Sequence, residues 1–364
     1  MNKSNDVYLS GSQITFYMFA SLIGVGFTYL PNAVIEKANQ DGWIACIVGA
    51  VYPLFLILCG SYMCKKSPKE NILVLSKKYF GGIIGNILNF IFIGFFLFVL
   101  TSEISGFNNV FTVYASDFLK KYQVIALTLV VTAYAAYKGI KPLGRLCEVT
   151  FYLTIILIVL PIETLKEGNI LNIMPIGQAG LVNVLKASKD TAFFYTGAEA
   201  ALLIYPFVKG SKKLLKSSLV ALGLTMFIYT WVCFLNIYYY GIDASPKLLW
   251  PTIGLSDSIH IPIINSFRFI FISLWSIVII RCISVYYFAI SFGISRITKK
   301  VSAETVTIFI YPIVFLLSML YGNPTTRRYY SGILTEYFVI FILIYVSIIT
   351  IITKFKEVGK HAKE

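Results

Sequence analysis

The sequence predicts an all-α integral membrane protein of ten transmembrane helices, arranged as two inverted five-helix repeats whose first members, helices one and six, are broken. Three observations carry this. Of 364 residues 57% are hydrophobic and only 13% charged, mean hydropathy is +0.77, and apolar runs of about 20 residues, enough to cross a bilayer as a helix, recur throughout. Lys and Arg gather in the short connections between these runs. The first and sixth runs are interrupted by Gly and Pro in corresponding positions, the trace expected where discontinuous helices meet at the bilayer midplane.

The first span runs from about Ser12 to Val34. Its middle, Ile23-Gly24-Val25-Gly26-Phe27-Thr28-Tyr29-Leu30-Pro31, frees backbone N–H and C=O groups that hydrocarbon cannot satisfy. Such a break is tolerated where it is buried in protein or lines a wet cavity, and the N-terminus of a half-helix there can hold a carboxylate. The alternative is a kinked packing helix, since Gly and Pro are common in membrane helices. The residues before this span are polar, carry only Lys3 as a basic group and show no small-residue cleavage site, so the span is expected to be retained.

The second span, Trp43 to Cys64, ends at Lys65-Lys66, and a basic loop with Lys69, Lys77 and Lys78 leads through Gly81-Gly82 to the third, Ile83 to Phe107, which carries Glu103. The fourth, Tyr122 to Gly139, has a short apolar core from Val124 to Tyr137 and is required by the charge distribution. Arg145 precedes the fifth, Leu146 to Leu165, which holds Glu148, Pro161 and Glu163 near its ends. The connection Lys166 to Asn183 is too polar to span. The sixth span, Val184 to Val208, contains Thr196-Gly197-Ala198-Glu199 and then Pro206, and is broken like the first. Lys209, Lys212, Lys213 and Lys216 lead into the seventh, Ser217 to Tyr240, and a long loop to His260 and Pro262 follows. The eighth, Phe267 to Phe292, holds Trp275 and Arg281; the ninth covers Thr305 to Tyr321 and the tenth Glu336 to Thr353, before a basic tail, residues 354–364. Repeat one is thus about 12–165 and repeat two about 184–353, within one transmembrane domain.

With the N-terminus inside, the cytoplasmic termini and connections, counted with Lys138 at the edge of the fourth span, hold 20 Lys and Arg, and the outer connections, counted with Lys186 and Lys189 near the edge of the sixth, hold 9, so both termini are expected in the cytoplasm. The net charge of +14 is explained by topology and anionic headgroups, and no basic recognition helix points to nucleic acid. The six cysteines lie in or at the ends of apolar spans without paired spacing, as free packing thiols do. His260 and His361 have no carboxylate at metal or catalytic spacing, and no nucleophile motif or phosphate loop is present, so no catalytic residue, metal or cofactor is assigned. Charged groups deep in a span are functional candidates by default. Glu103, Glu199 and Arg281 qualify; Glu199 and Arg281 fall at similar depth and form a candidate structural ion pair.

Ser10-Gly11-Ser12-Gln13 leading into the first break, then Asp41-Gly42-Trp43-Ile44, resembles the opening of the GerAB family of spore germination proteins. Gly139, Arg145, Asn172 to Pro175, Phe194, Gly197-Ala198-Glu199, Pro206-Phe207, Trp250-Pro251 and Trp275 are similar to further landmarks of that family. The resemblance covers nearly the whole chain and thins after Phe292. Where the family often has an acidic-basic pair entering the eighth span, this chain has Asn265, Ser266 and Arg268. The resemblance implies the LeuT-like fold of amino acid, polyamine and organocation transporters. It also implies an inner-spore-membrane subunit of a nutrient germinant receptor, with a larger A-type subunit and a C-type lipoprotein as partners and a small germinant of the amino acid class as ligand. The expected pocket is floored by Gly24, Val25, Gly26 and Phe27, completed by Thr196, Gly197 and Glu199, and approached past Glu103 and Trp275, with the ligand carboxylate on backbone N–H groups of the break. A working secondary amino acid transporter and an assembly scaffold with a vestigial pocket are the alternative functions, because fold does not decide function.

Overall fold

The computed structural model describes residues 8–116, 118–259 and 267–361, and among these every regular element is helical. Helix α1, Gly11–Leu22, opens with a capping box: the Ser10 hydroxyl accepts the Gln13 N–H and the Gln13 side chain accepts the Ser10 N–H, each at 3.1 Å, which satisfies two otherwise orphaned donors. It stops at Leu22, because Ile23 and Gly24 are extended, and a 3-10 turn, Val25–Thr28, separates it from α2, Leu30–Ala38. Pro31 lies in the first turn of α2, where its missing N–H is no loss.

Helices α3 (Gly42–Gly49) and α4 (Val51–Lys66) follow, then α5 (Ile72–Phe80), capped by the Asn71 side chain on the Val74 N–H. The long α6 (Gly82–Tyr114) and α7 (Lys121–Tyr137) come next. Helix α8 (Ile140–Val159) tightens into a 3-10 segment at Leu160–Lys166, where Pro161 ends regular α-helix. Helices α9 (Gly180–Phe194) and α10 (Ala200–Ile204) are separated by the turn 195–199. The rest comprises α11 (Ser211–Ala244), α12 (Pro251–Asp257), α13 (Phe267–Thr298), α14 (Ala303–Met319) and α15 (Pro324–His361).

Six segments, Leu30–Lys66, Gly82–Tyr114, Ile140–Lys166, Ser211–Lys247, Phe267–Thr298 and Pro324–Lys356, are long and apolar enough to cross a membrane. Their flanks expose apolar side chains in rows, such as Ile83, Ile87 and Phe90 on α6, as a lipid-facing surface does and a water-facing one rarely does. The chain is a multi-pass membrane protein. Helix α13 lies at the centre, packed against α1, α6, α7, α8 and α14, while α1 packs on α8 and α11, and α2 and α3 on α9. Small residues permit the close approaches: a Cβ on Gly49 of α3 would collide with Thr191 of α9.

The polar connection before α9 is pinned rather than loose. Buried Asp41 accepts the N–H groups of Gly177 and Ala179 at 2.8 and 2.9 Å, so a carboxylate sits where the positive end of α9 favours it. The Asn172 side chain donates to Tyr238 O at 2.9 Å. The helices outrun the apolar stretches that predict them: the third reaches Tyr114 rather than Phe107, and the last begins at Pro324 rather than Glu336. Helical hydrogen bonding continues past the end of each apolar run, where polar residues no longer reveal it. Helices α5 and α12 fall in segments expected to be loops. His260, Pro262, Asn265 and Ser266 lie outside the described residues.

Candidate functional site

Both interruptions leave helix ends whose carbonyls need donors, and two tyrosines supply them. The Tyr286 hydroxyl of α13 lies 2.6 Å from Ser21 O, at the end of α1, and 3.1 Å from Thr196 O, in the turn after α9. The Tyr229 hydroxyl of α11 lies 2.6 Å from Leu22 O and 3.0 Å from Phe194 O. Each shares its proton between the two interruptions and so fastens one to the other. Gly197 makes this approach possible: its φ is +125°, and a Cβ there would strike Ser21 O. Only glycine takes that backbone conformation without strain.

On one side of these tyrosines lies a cavity of about 490 Å³, lined by Gly24, Gly26, Glu103, Phe194, Thr196 and Arg327 among others. The absence of side chains at Gly24 and Gly26 brings backbone to its surface. Glu103 of α6 reaches across to the first interruption, where its Oε2 accepts the Val25 N–H at 2.5 Å, and it lies so close to Gly24 that a Cβ there would overlap its carboxylate. Of the backbone N–H groups of the break that the sequence reading offers to a ligand carboxylate, that of Val25 is therefore already occupied by a protein carboxylate.

The mouth of the cavity is charged. Asp190 of α9 pairs with Lys37 of α2 at 2.5 Å, and Glu336 of α15 pairs with Lys189 of α9 at 2.5 Å. Arg328 donates to Leu249 O and lies 4.4 Å from the Tyr29 ring centroid, joining α15 to the first interruption and to the segment before α12. Arg327, only 4% exposed, donates from Nε to Ser102 O at 2.7 Å.

The structure thus brings together Gly24, Val25, Gly26, Thr196 and Glu103. Gly197 and Glu199 sit behind the cavity wall. Glu199 is fully buried, accepts the Gly197 N–H at 2.6 Å through Oε2, and receives the Tyr52 hydroxyl of α4 on Oε1. Phe27 and Trp275 face elsewhere, lining a separate, largely apolar cavity of about 20 Å³ with Thr154 and Pro161. The expected pair between Glu199 and Arg281 does not form. Arg281 donates to Thr154 Oγ1 at 3.3 Å and lies 5.3 Å from the Phe19 ring centroid, and no carboxylate pairs with it among the described residues. The reason is rotational: Glu199 turns back onto its own turn and toward α4, whereas Arg281 points to α1 and α8. Sequence reasoning passed over Tyr229, Tyr286, Arg327 and Arg328. Nothing in a lipid-rich complement of 25 tyrosines marks those two, and the Arg pair reads as loop charge.

A family model described as spore germination protein matches residues 8–327. Curated relatives include the spore germination protein YndE of Bacillus subtilis (strain 168), 23% identical over 319 residues that span 86% of this chain and 88% of the relative. Spore germination protein GerQB of Bacillus cereus is 22% identical over 313 residues, spanning 85% and 87%. Among solved structures, a Na+-coupled sialic acid symporter in a substrate-bound outward-open state superposes with a TM-score of 0.67 at 11% identity, covering 94% of this chain and 81% of that one. That likeness shows the fold, a LeuT-like transporter architecture.

Proposed function

The chain belongs to the spore germination protein family, and from that premise we propose that it is the membrane subunit of a nutrient germinant receptor, binding a small germinant of the amino acid class in the cavity between the two interruptions. The observation that carries this reading is the cavity itself: about 490 Å³, the volume range of small-molecule sites, floored by glycine backbone and fastened by Tyr229 and Tyr286 to both broken elements. A ligand there touches both at once, so it shifts their relative position by its differential affinity. Glu199, which braces the Gly197 turn against α4, is the group through which that shift passes. In this reading the helices make ten spans in two inverted five-helix repeats, α1–α2 and α9–α10 being the broken first and sixth. Both termini face the cytoplasm, the protein resides in the spore inner membrane, and an A-type subunit and a C-type lipoprotein receive the signal.

Secondary amino acid transport is the second reading, favoured by the fold shared with a symporter. The test of the site is calorimetric binding of a panel of amino acids to the purified protein in nanodiscs, with Gly26→Val beside it. A Cβ at Gly26 stands 2.9 Å from Phe194 Cδ1, and the added methyls fill cavity volume. The variant is expected to fold and to bind at least tenfold more weakly; unchanged affinity would place the ligand elsewhere.

A further inference from the structure

Three observations bear on how a ligand sits in the cavity, taken as the germinant site proposed above. The first is that Glu103 already satisfies the Val25 N–H. A second carboxylate at that place would set two like charges side by side in a cavity walled by protein, which disfavours both being ionised. The second is that Glu103 is only half used: its Oε1 receives no hydrogen bond among the described residues, and the side chain lines the cavity. The third is Arg327. The residue is 4% exposed, lines the same cavity, spends Nε on Ser102 O and makes no salt bridge among the described residues; the acidic group whose charge acts on it is Glu103 itself. Arg327 lies against Gly106, whose Cβ would fall 2.5 Å from its Cζ. Ser102, Glu103 and Gly106 lie within little more than one turn of α6, so Arg327 and Glu103 present opposite charges to the same cavity, close enough to act on each other without closing a salt bridge. Of the other charges at the cavity, Asp190 pairs with Lys37, Glu336 pairs with Lys189 and Glu36 is exposed; Arg328, like Arg327, has only a carbonyl as acceptor, but it is half-buried and lies over the Tyr29 ring, whereas Arg327 is buried beside Glu103.

We propose that the cavity takes a zwitterion whose ammonium sits on Glu103 and whose carboxylate sits on Arg327. The broken helix anchors Glu103 instead of the ligand's carboxylate. Two opposite charges a few ångströms apart are what an α-amino acid carries. An amine lacking the carboxylate leaves Arg327 unpaired in the occupied cavity, and an acid lacking the ammonium meets Glu103; either loss is costly because the partner left behind is desolvated.

The test uses the full chain in nanodiscs and calorimetry with the amino acid panel, each amino acid beside its decarboxylated amine and its deaminated acid. The wild type is expected to bind an amino acid, and the matching amine and acid at least tenfold more weakly; this arm needs no variant. Glu103→Gln keeps a carbonyl for the Val25 N–H and is expected to weaken the amino acid at least tenfold while sparing the deaminated acid. Arg327→Gln is expected to weaken the amino acid equally and spare the amine, with Arg327→Lys restoring much of the loss. Tighter amino acid binding by Glu103→Gln would overturn the orientation, since it would mean that the ligand's carboxylate competes with Glu103 for the break. Unchanged binding in both variants while Gly26→Val binds weakly would overturn it too, leaving the site intact. Unchanged binding in all three, or no amino acid bound by the wild type, would remove the site and this inference together.

Discussion

Tyr229 and Tyr286 are single hydroxyls on which two helix interruptions depend. Tyr286→Phe leaves Ser21 O and Thr196 O without that donor, and an unsatisfied buried carbonyl costs about 1–3 kcal/mol. The variant is expected to unfold at lower temperature in detergent than the wild type, a shift read by intrinsic fluorescence. An unchanged midpoint would mean that water replaces the hydroxyl. Glu199 is a different case, because its fully buried carboxyl group accepts from two elements at once, the Gly197 N–H and the Tyr52 hydroxyl. Glu199→Gln keeps an acceptor for the Gly197 N–H and puts an amide in place of the carboxyl oxygen that faces Tyr52. The expected outcome in spores is a blocked germination response with complex levels near wild type by immunoblot; a normal response would make Glu199 a packing residue.

At the scale of elements, α2, α9 and α15 converge on the cavity mouth and are joined there by contacts that are individually weak. The pair Lys189–Glu336 is exposed and Lys37–Asp190 partly so; pairs that solvent reaches contribute about 0–1 kcal/mol each, so they set how the mouth closes more than how stable the bundle is. Arg328 reaches furthest, from α15 to the Tyr29 ring and Leu249 O. Arg328→Ala is expected to raise both association and dissociation rates of ligand by roughly 3–10-fold with little change in affinity, as loosening a gate does. Stopped-flow fluorescence on the purified protein measures both rates. A selective loss of affinity would instead make Arg328 part of the ligand shell.

For the whole molecule the question is what ligand occupancy produces. A transporter must pass between outward- and inward-open states, whereas a receptor subunit need only shift its population and hand that bias to a partner. Purified protein in liposomes is therefore expected to bind amino acid without concentrating it, and uptake above protein-free vesicles would replace the receptor reading with transport. Orientation is tested in the same spirit. All six native cysteines are buried, so in a variant lacking them, cysteine placed at Lys247 is expected to label from outside intact cells and cysteine at Lys212 is not. Labelling of position 212 from outside would invert the topology.

What the sequence determined by itself was set by composition and local chemistry: apolar runs demand helices, and Gly24, Gly26 and Pro31 in the first run and Gly197 and Pro206 in the sixth mark where a helix is weakened. The Ser10–Gln13 capping box and the halt at Leu22 are local enough to be legible. The partners of the freed groups are not, because they lie far away in the chain. Glu103 is 78 residues from the N–H it accepts, Tyr286 is 265 from Ser21, and Arg327 reaches back 225 residues to Ser102. Depth along a span also says nothing of rotation about its axis. That is why Glu199 and Arg281 could be placed at one level yet point to α4 and to α1 and α8, and why Phe27 and Trp275 face a second cavity. Only tertiary packing sets those rotations, and with them which carboxylate meets the broken helix.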